Sequence, residues 1–177
     1  MNNTVEKEFF EKLYKASKTA FEKLFDINEQ FYYCTLTITG DGLTPVISAW
    51  SHEALERECN GDEELKYDIE WSYADSPYYA WEYDSFHEVT EMLENCPDMS
   101  DMSDEEWEKE IDSRIYAMEK VMSKLDEEGI FSKNQERNNM VVLAEIMPPD
   151  NSNTNRAYRL NNAKNEMFQR WLKEAAE

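Results

Sequence analysis

Two histidines, His52 and His87, are the only imidazole groups in the 177-residue sequence. His87 and Glu91 stand four residues apart, so on a helix both would lie on one face, where they could share a metal ion. The same spacing is typical of an exposed helical ion pair, and two ligands do not form a site. The acidic run over residues 98–104 lacks the central glycine and closing glutamate of a calcium-binding loop. We therefore expect neither a metal nor another cofactor.

No candidate nucleophile lies in a catalytic motif. The three cysteines, Cys34, Cys59 and Cys96, form no Cys-X-X-Cys pair, and there is no Gly-X-Ser-X-Gly elbow. The four glycines form neither a P-loop nor a dinucleotide-binding fingerprint. The 39 Asp and Glu residues could supply a general acid and base, but so many carboxylates produce such pairs by chance. An enzyme that uses clustered carboxylates with a divalent metal stays open as the alternative function.

Negative charge is concentrated in the middle of the chain. The formal net charge is -21, and residues 51–110 contribute 21 acidic and only three basic residues. A surface of this sign disfavours phosphate backbones and anionic membranes, and it attracts basic proteins. We therefore expect a basic protein partner and no nucleic acid or membrane partner. The sequence does not indicate an oligomeric state.

An aromatic segment follows within the acidic region. Residues 71–83 contain two Trp, four Tyr and one Pro in thirteen positions. Two interpretations stay open: rings that complete the core at a chain corner, and an aromatic patch with the composition of a binding hot spot. The predicted contact surface combines carboxylates that attract a basic partner with rings that form its centre. Its members are Glu53, Glu56, Asp75, Glu82, Asp84, Glu88, Tyr73, Tyr78, Tyr79 and Trp81.

The elements that must position these residues begin with a helix. Apolar residues recur at helical spacing to about residue 26, after a possible capping box formed by Asn3 and Glu6. A β-hairpin is expected from residues 31–38 and 45–50, because both runs are rich in β-branched and aromatic residues around a glycine turn. Ser51 is a suitable N-cap for a short helix that ends at Cys59.

Alternating apolar and polar residues then predict a third strand over residues 66–73. The other predicted elements are a helix over 76–95, a long helix that begins at a capping box at Ser103 and ends near Gly129, a central strand over 140–146, a loop over 151–155 and a final helix from Leu160. Together they predict an α+β fold with a mixed or mainly antiparallel sheet of about four strands. About five helices would pack on it in two layers, within a single globular domain over residues 1–177.

The expected location is the cytoplasm. The N-terminus lacks the basic start and apolar run of a signal peptide, and no apolar stretch approaches the ~18 residues of a transmembrane helix. An odd number of scattered cysteines also fits a reducing compartment.

Four sequence blocks resemble a bacterial family named domain of unknown function 4303. They span most of the chain and lie at residues 31–36, 71–78, 125–131 and 159–161. The resemblance implies no catalytic residues, since none is established for the family. In size and acidity its members are similar to the immunity proteins encoded beside bacterial polymorphic toxins. The expected function is therefore a non-catalytic, immunity-type protein that neutralises a basic toxin domain, for example a nuclease.

Overall fold

The computed structural model describes the backbone of residues 3–177 and the side chains from residue 4 onward. The first helix, α1, spans Asn3–Phe25 and confirms the predicted amphipathic helix. The proposed capping box, which needs the Asn3 side chain, lies outside the described residues. On α1, buried residues recur every three or four positions, as expected for a helix with one face toward the core.

The predicted hairpin is confirmed. Strand β1, Phe31–Thr39, pairs antiparallel with β2, Val46–Ser51. A bulge between Phe31 and Tyr33 shifts the register at the end far from the hairpin loop. Both strands are almost entirely buried, in agreement with their β-branched and aromatic composition.

The third strand, β3, spans Val141–Met147 and pairs parallel with β1, so the sheet is mixed with the order β2-β1-β3. The expectation that β3 would be central is wrong, because it occupies an edge. Side chains from the following helix and from the residue just after it bind the free backbone groups of β3. Asn153 exchanges hydrogen bonds with Ile146, and Asn161 does so with Val142. These amides protect an edge strand whose apolar sequence resembles that of a central one.

Six further α-helices lie in the described part of the chain. They are α2, His52–Cys59; α3, Glu63–Ile69; α4, His87–Glu94; α5, Asp104–Glu127; α6, Asn151–Leu160; and α7, Glu166–Glu174. Short 3-10 turns occupy Tyr83–Phe86, Met99–Asp101, Phe131–Lys133 and Arg137–Asn139. The predicted N-cap of α2 and the capping box of α5 are both present.

The predicted strand over residues 66–73 is wrong, because its first half belongs to α3 and its second half forms turns. The Asp62 side chain accepts hydrogen bonds from the backbone N–H groups of Glu64 and Leu65 at 3.0 and 3.1 Å. Such a cap starts a helix, and two glutamates in its first turn favour the same conformation. Since α3 buries none of its residues, local capping outweighs the alternating pattern.

The predicted helix over 76–95 is shortened to α4. Ser76 donates its hydroxyl to the carbonyl of Ala49, and Ala80 and Glu82 adopt left-handed backbone conformations with φ of 51° and 54°. A right-handed helix cannot pass through such residues. The loop predicted over residues 151–155 is also wrong, since it forms the start of α6.

The two faces of the sheet differ in chemistry. Helices α1 and α5 pack on each other, and α5 also contacts β1 and β3. Tyr33, Thr35 and Glu145 share the other face, where Trp71 packs on the Tyr33 ring and the backbone of Tyr73 is bonded by Ser48 of β2. The molecule is therefore α+β with a mixed sheet, and the described residues contain three strands rather than the four expected. Over residues 3–177, no helix combines the length and apolar character needed to cross a bilayer.

Candidate functional site

A row of hydroxyl groups follows one face of β1. Strand alternation places Tyr33, Thr35, Thr37 and Thr39 on that face, and Glu145 of β3 is the cross-strand partner of Thr37. The Glu145 carboxylate accepts hydrogen bonds from the Tyr33 hydroxyl at 2.8 Å and from Thr35 Oγ1 at 2.6 Å. Burial raises the pKa of Glu145, and these two hydrogen bonds offset part of that shift.

Two of these hydroxyl groups have no hydrogen-bond partner among the described residues. Thr37 Oγ1 and Thr39 Oγ1 are buried and make no hydrogen bond within residues 3–177. A buried hydroxyl without a partner costs free energy, so natural proteins contain few of them. Both threonines lie in the wall of a cavity at the hairpin end of the sheet.

The aromatic segment forms one wall of this cavity and is held by hydrogen bonds to β2. Trp50 Nε1 donates to the carbonyl of Ser72, and Ser48 Oγ donates to the carbonyl of Tyr73, both at 2.7 Å. These bonds fix Tyr73 over the end of the sheet, where its ring meets Tyr79 edge-to-face at 5.8 Å. Burial raises the pKa of the Tyr73 hydroxyl above its ordinary value.

The hairpin loop forms the opposite wall. Arg114 of α5 is buried, donates one N–H to the carbonyl of Gly42 and bonds Glu110 at 2.9 and 3.0 Å. Gly42 has a φ of 70°, and a Cβ there would lie 2.0 Å from Met99 Sδ. The loop therefore depends on glycine at this position, both for its backbone conformation and for contact with Met99. Thr44 Oγ1 adds a 2.9 Å hydrogen bond to Thr90 of α4.

The resulting cavity has a volume of about 680 Å³, within the range of ligand-binding clefts. Exposed apolar side chains stand around its mouth: Leu43 is 63% exposed, Tyr79 47% and Tyr83 48%. Seven large apolar residues in the described chain are at least 40% exposed, and three of them surround this one opening. Such clustering is typical of a contact surface rather than of scattered surface residues.

Carboxylates line the same opening. Asp41, Glu94 and Asp98 belong to the cavity wall and are exposed. Among the described residues the wall has one basic side chain, Arg114, which is neutralised by its buried ion pair with Glu110. The cavity therefore presents negative charge and aromatic rings to solvent, an arrangement that suits a cationic ligand.

The predicted aromatic residues have different environments. Tyr73 is half-buried and, with Tyr79, lines the cavity. Tyr78 is only 7% exposed and donates its hydroxyl to Glu29 at 2.6 Å, so it belongs to the core. The Trp81 ring is partly buried against Tyr78, and its indole N–H is buried without a hydrogen bond among the described residues.

None of the six predicted acids lines the cavity. Three of them form ion pairs: Glu56 with Lys66, Glu82 with Lys23 at 2.6 Å, and Glu88 with Lys15 at 2.9 Å. Their partners partly neutralise the acidic surface that the sequence predicts.

The other three acids are exposed, and two of them accept local hydrogen bonds. Glu53 accepts one from the backbone N–H of Gln30 at 2.8 Å, and Asp75 accepts one from Ser72. Asp84 follows Tyr83 at the start of a 3-10 turn.

Sequence reasoning missed the cavity carboxylates and the rim residues Leu43 and Tyr83. The turn Gly40-Asp41-Gly42 was a visible signal for a tight hairpin loop. Nothing in the sequence shows that residues 94–99 lie beside this loop, because the contacts that bring them there, Thr90 with Thr44 and Met99 with Gly42, join distant segments of the chain. A part-exposed thiol, Cys96, lies in the same wall.

The candidate metal ligands do not converge. Among residues 3–177, no three His, Cys, Asp or Glu side chains form a group that could hold a metal ion. His87 and Glu91 approach to 3.2 Å, and both are exposed on α4 as a simple pair.

Comparison with known proteins identifies a family but not an activity. The family model described as "Domain of unknown function (DUF4303)" matches residues 13–162, which include the sheet, the aromatic segment and every residue of the cavity wall. No curated protein and no solved structure matches the chain. Because the family match extends over most of the sequence, the chain belongs to the DUF4303 family.

Proposed function

We propose that this protein is a non-catalytic binding protein for a basic protein partner, in the manner of an immunity protein that neutralises a toxin domain. One observation supports this most strongly. The mouth of the cavity combines three exposed apolar side chains with three carboxylates, and its only arginine is already paired. Protein interfaces are built in this way, with a desolvated aromatic centre and a charged rim.

Electrostatics assigns a role to the surplus of negative charge. Exposed carboxylates attract a basic partner before contact and raise its association rate. A toxin that cleaves nucleic acid must itself carry lysines and arginines to hold phosphates. An inhibitor with clustered carboxylates would bind those same groups and leave the enzyme without access to its substrate.

The proposal is tested with the proteins encoded beside this gene. Each neighbouring product is co-expressed with the chain in an inactive form, and complexes are measured by calorimetry at 50 and 300 mM salt. We expect one neighbour to bind with a Kd below about 100 nM at low salt and to lose affinity at high salt.

Reversing the charge of one carboxylate tests whether the partner binds at the mouth of the cavity. Glu94→Lys, at the cavity mouth, is expected to slow association several-fold, while Glu64→Lys on α3, outside the cavity wall, serves as the matched control with a smaller effect. Absence of any binding neighbour, or equal effects of the two reversals, would contradict the proposal.

A further inference from the structure

Two buried hydroxyl groups of the cavity wall have no hydrogen-bond partner among the described residues. Thr37 is 3% exposed, and its Oγ1 has no hydrogen-bond partner within the described chain; the same holds for Thr39 Oγ1. Both residues line the cavity. Both oxygens are shielded from solvent in this conformation, so a donor in the cavity reaches them only after the threonine side chains rotate. A ligand that donates hydrogen bonds would then satisfy these oxygens and remove the cost of leaving them unpaired.

The side walls favour a flat cation. Tyr73, Tyr79 and Tyr83 line the cavity, and a cation is attracted to the face of an aromatic ring. Asp41 and Glu94 add negative charge at the mouth of the cavity. Among the described residues of the wall only Arg114 is basic, and it is already paired with Glu110. The ligand should therefore be positively charged, hydrogen-bond donating and able to stack.

Arginine meets these three requirements better than lysine. A guanidinium group is planar, carries five N–H donors, stacks on aromatic rings and is more weakly hydrated than an ammonium group. An ammonium group retains its water more strongly and donates from a single point. On the basis of the proposed function, we infer that the cavity is the seat of an arginine side chain of the basic partner, with its guanidinium between the tyrosines and the hydroxyls of Thr37 and Thr39.

The seat can be tested without any partner protein. The probe is the peptide acetyl-Gly-Ser-Arg-Ser-Gly-amide, with otherwise identical peptides that carry lysine or citrulline in place of arginine. Citrulline keeps the shape and most donors but removes the charge. We expect saturable binding of the arginine peptide with a Kd below about 1 mM, weaker binding of the lysine peptide and at least tenfold weaker binding of the citrulline peptide.

Cys96 reports whether the peptide enters this cavity. It is the part-exposed thiol of the wall, whereas Cys34 and Cys59 are buried. Alkylation by iodoacetamide, followed by mass spectrometry, should be slower at Cys96 in the presence of the arginine peptide and unchanged with the citrulline peptide. A Cys96→Ser variant identifies the modified position.

Thr37→Val separates binding from folding. The substitution removes an unpaired hydroxyl at nearly constant shape, so the fold should be retained or stabilised, while affinity for the arginine peptide should fall about tenfold. Glu64→Gln, outside the cavity wall, should leave that affinity nearly unchanged.

Equal binding of the arginine and citrulline peptides, no protection of Cys96, or an unchanged affinity in Thr37→Val would overturn the arginine seat. Because these measurements contain no partner protein, such a result would not contradict the proposed function, which is tested by the binding of neighbouring gene products. Failure of every neighbouring product to bind, despite a functional seat for the peptide, would instead count against the proposed function.

Discussion

The carboxyl group of Glu145 lies among hydroxyls on the polar face of the sheet, beside the cavity rather than in it. Its pKa is raised by burial, with partial compensation from Thr35 and Tyr33. Folding therefore favours the protonated form. The stabilisation from this group is complete below its unfolded pKa, about 4.3, and is lost as pH rises through the higher folded pKa.

We expect Glu145→Gln to raise the free energy of unfolding at pH 8. At that pH a solvated carboxyl group is ionised, and burial of the Glu145 carboxyl opposes its ionisation in the folded protein. The glutamine oxygen can still accept hydrogen bonds from Tyr33 and Thr35. At pH 4 the gain should be much smaller, because the native carboxyl is then mostly protonated. Urea unfolding of both proteins at the two pH values measures this, and a gain that is larger at pH 4 would reverse the assigned sign.

Gly42 offers a second test at the residue scale. Gly42→Ala introduces a Cβ against Met99 at a φ of 70°, whereas Gly61→Ala meets the same backbone penalty at a φ of 85° with no atom within 4 Å. We expect Gly61→Ala to cost about 1–2 kcal/mol and Gly42→Ala clearly more, because the loop must also move away from Met99. Equal losses of unfolding free energy in the two variants would show that the Met99 side chain moves away from the new Cβ at no cost in free energy.

At the scale of elements, sequence patterns predicted the parts whose local signals agree with their packing. Helix α1, the hairpin and α5 combine periodic apolar residues with caps or turns, and all three are present. The strand expected over residues 66–73 failed because the Asp62 cap outweighs an alternating pattern that spans only a few residues. The helix expected over 76–95 failed because Ala80 and Glu82 turn the backbone, while Tyr78 and Phe86 are buried in the core.

The candidate site was only partly predictable for the same reason. The aromatic segment drew attention to Tyr73 and Tyr79, which do line the cavity. Asp41 and Glu94 come from elements that meet only through tertiary packing, so no spacing in the sequence joins them.

Adjacent tyrosines in the aromatic segment provide a matched pair. Tyr78 is in the core and bonds Glu29, whereas Tyr79 is about half exposed at the cavity mouth. Tyr78→Ala should cost about 3–5 kcal/mol of unfolding free energy, as expected for a large core ring. Tyr79→Ala should cost less than about 1.5 kcal/mol and should mainly affect binding. Thermal and urea unfolding distinguish the two, and a comparable loss in both would remove Tyr79 from the proposed contact surface.

For the whole molecule, folding redistributes the charge that the sequence segregates. Lysines of α1 reach acids from distant segments, as Lys15 does with Glu88 and Lys23 with Glu82. Exposed pairs of this kind contribute little to stability, but they reduce the negative potential on their side of the molecule. The carboxylates at the cavity mouth have no such lysine partners in the cavity wall, so the attraction for a basic partner should be strongest there.

Stopped-flow association with the neighbouring-gene partner, measured from 20 to 300 mM salt, tests the central claim most directly. We predict an association rate that falls at least about tenfold over this range, because carboxylates steer the encounter. We also predict that Tyr79→Ala raises the dissociation rate by at least about tenfold while leaving the salt dependence of association unchanged, because the ring acts after contact. A salt-independent association rate, together with an unchanged dissociation rate in Tyr79→Ala, would contradict binding of a basic protein at this cavity.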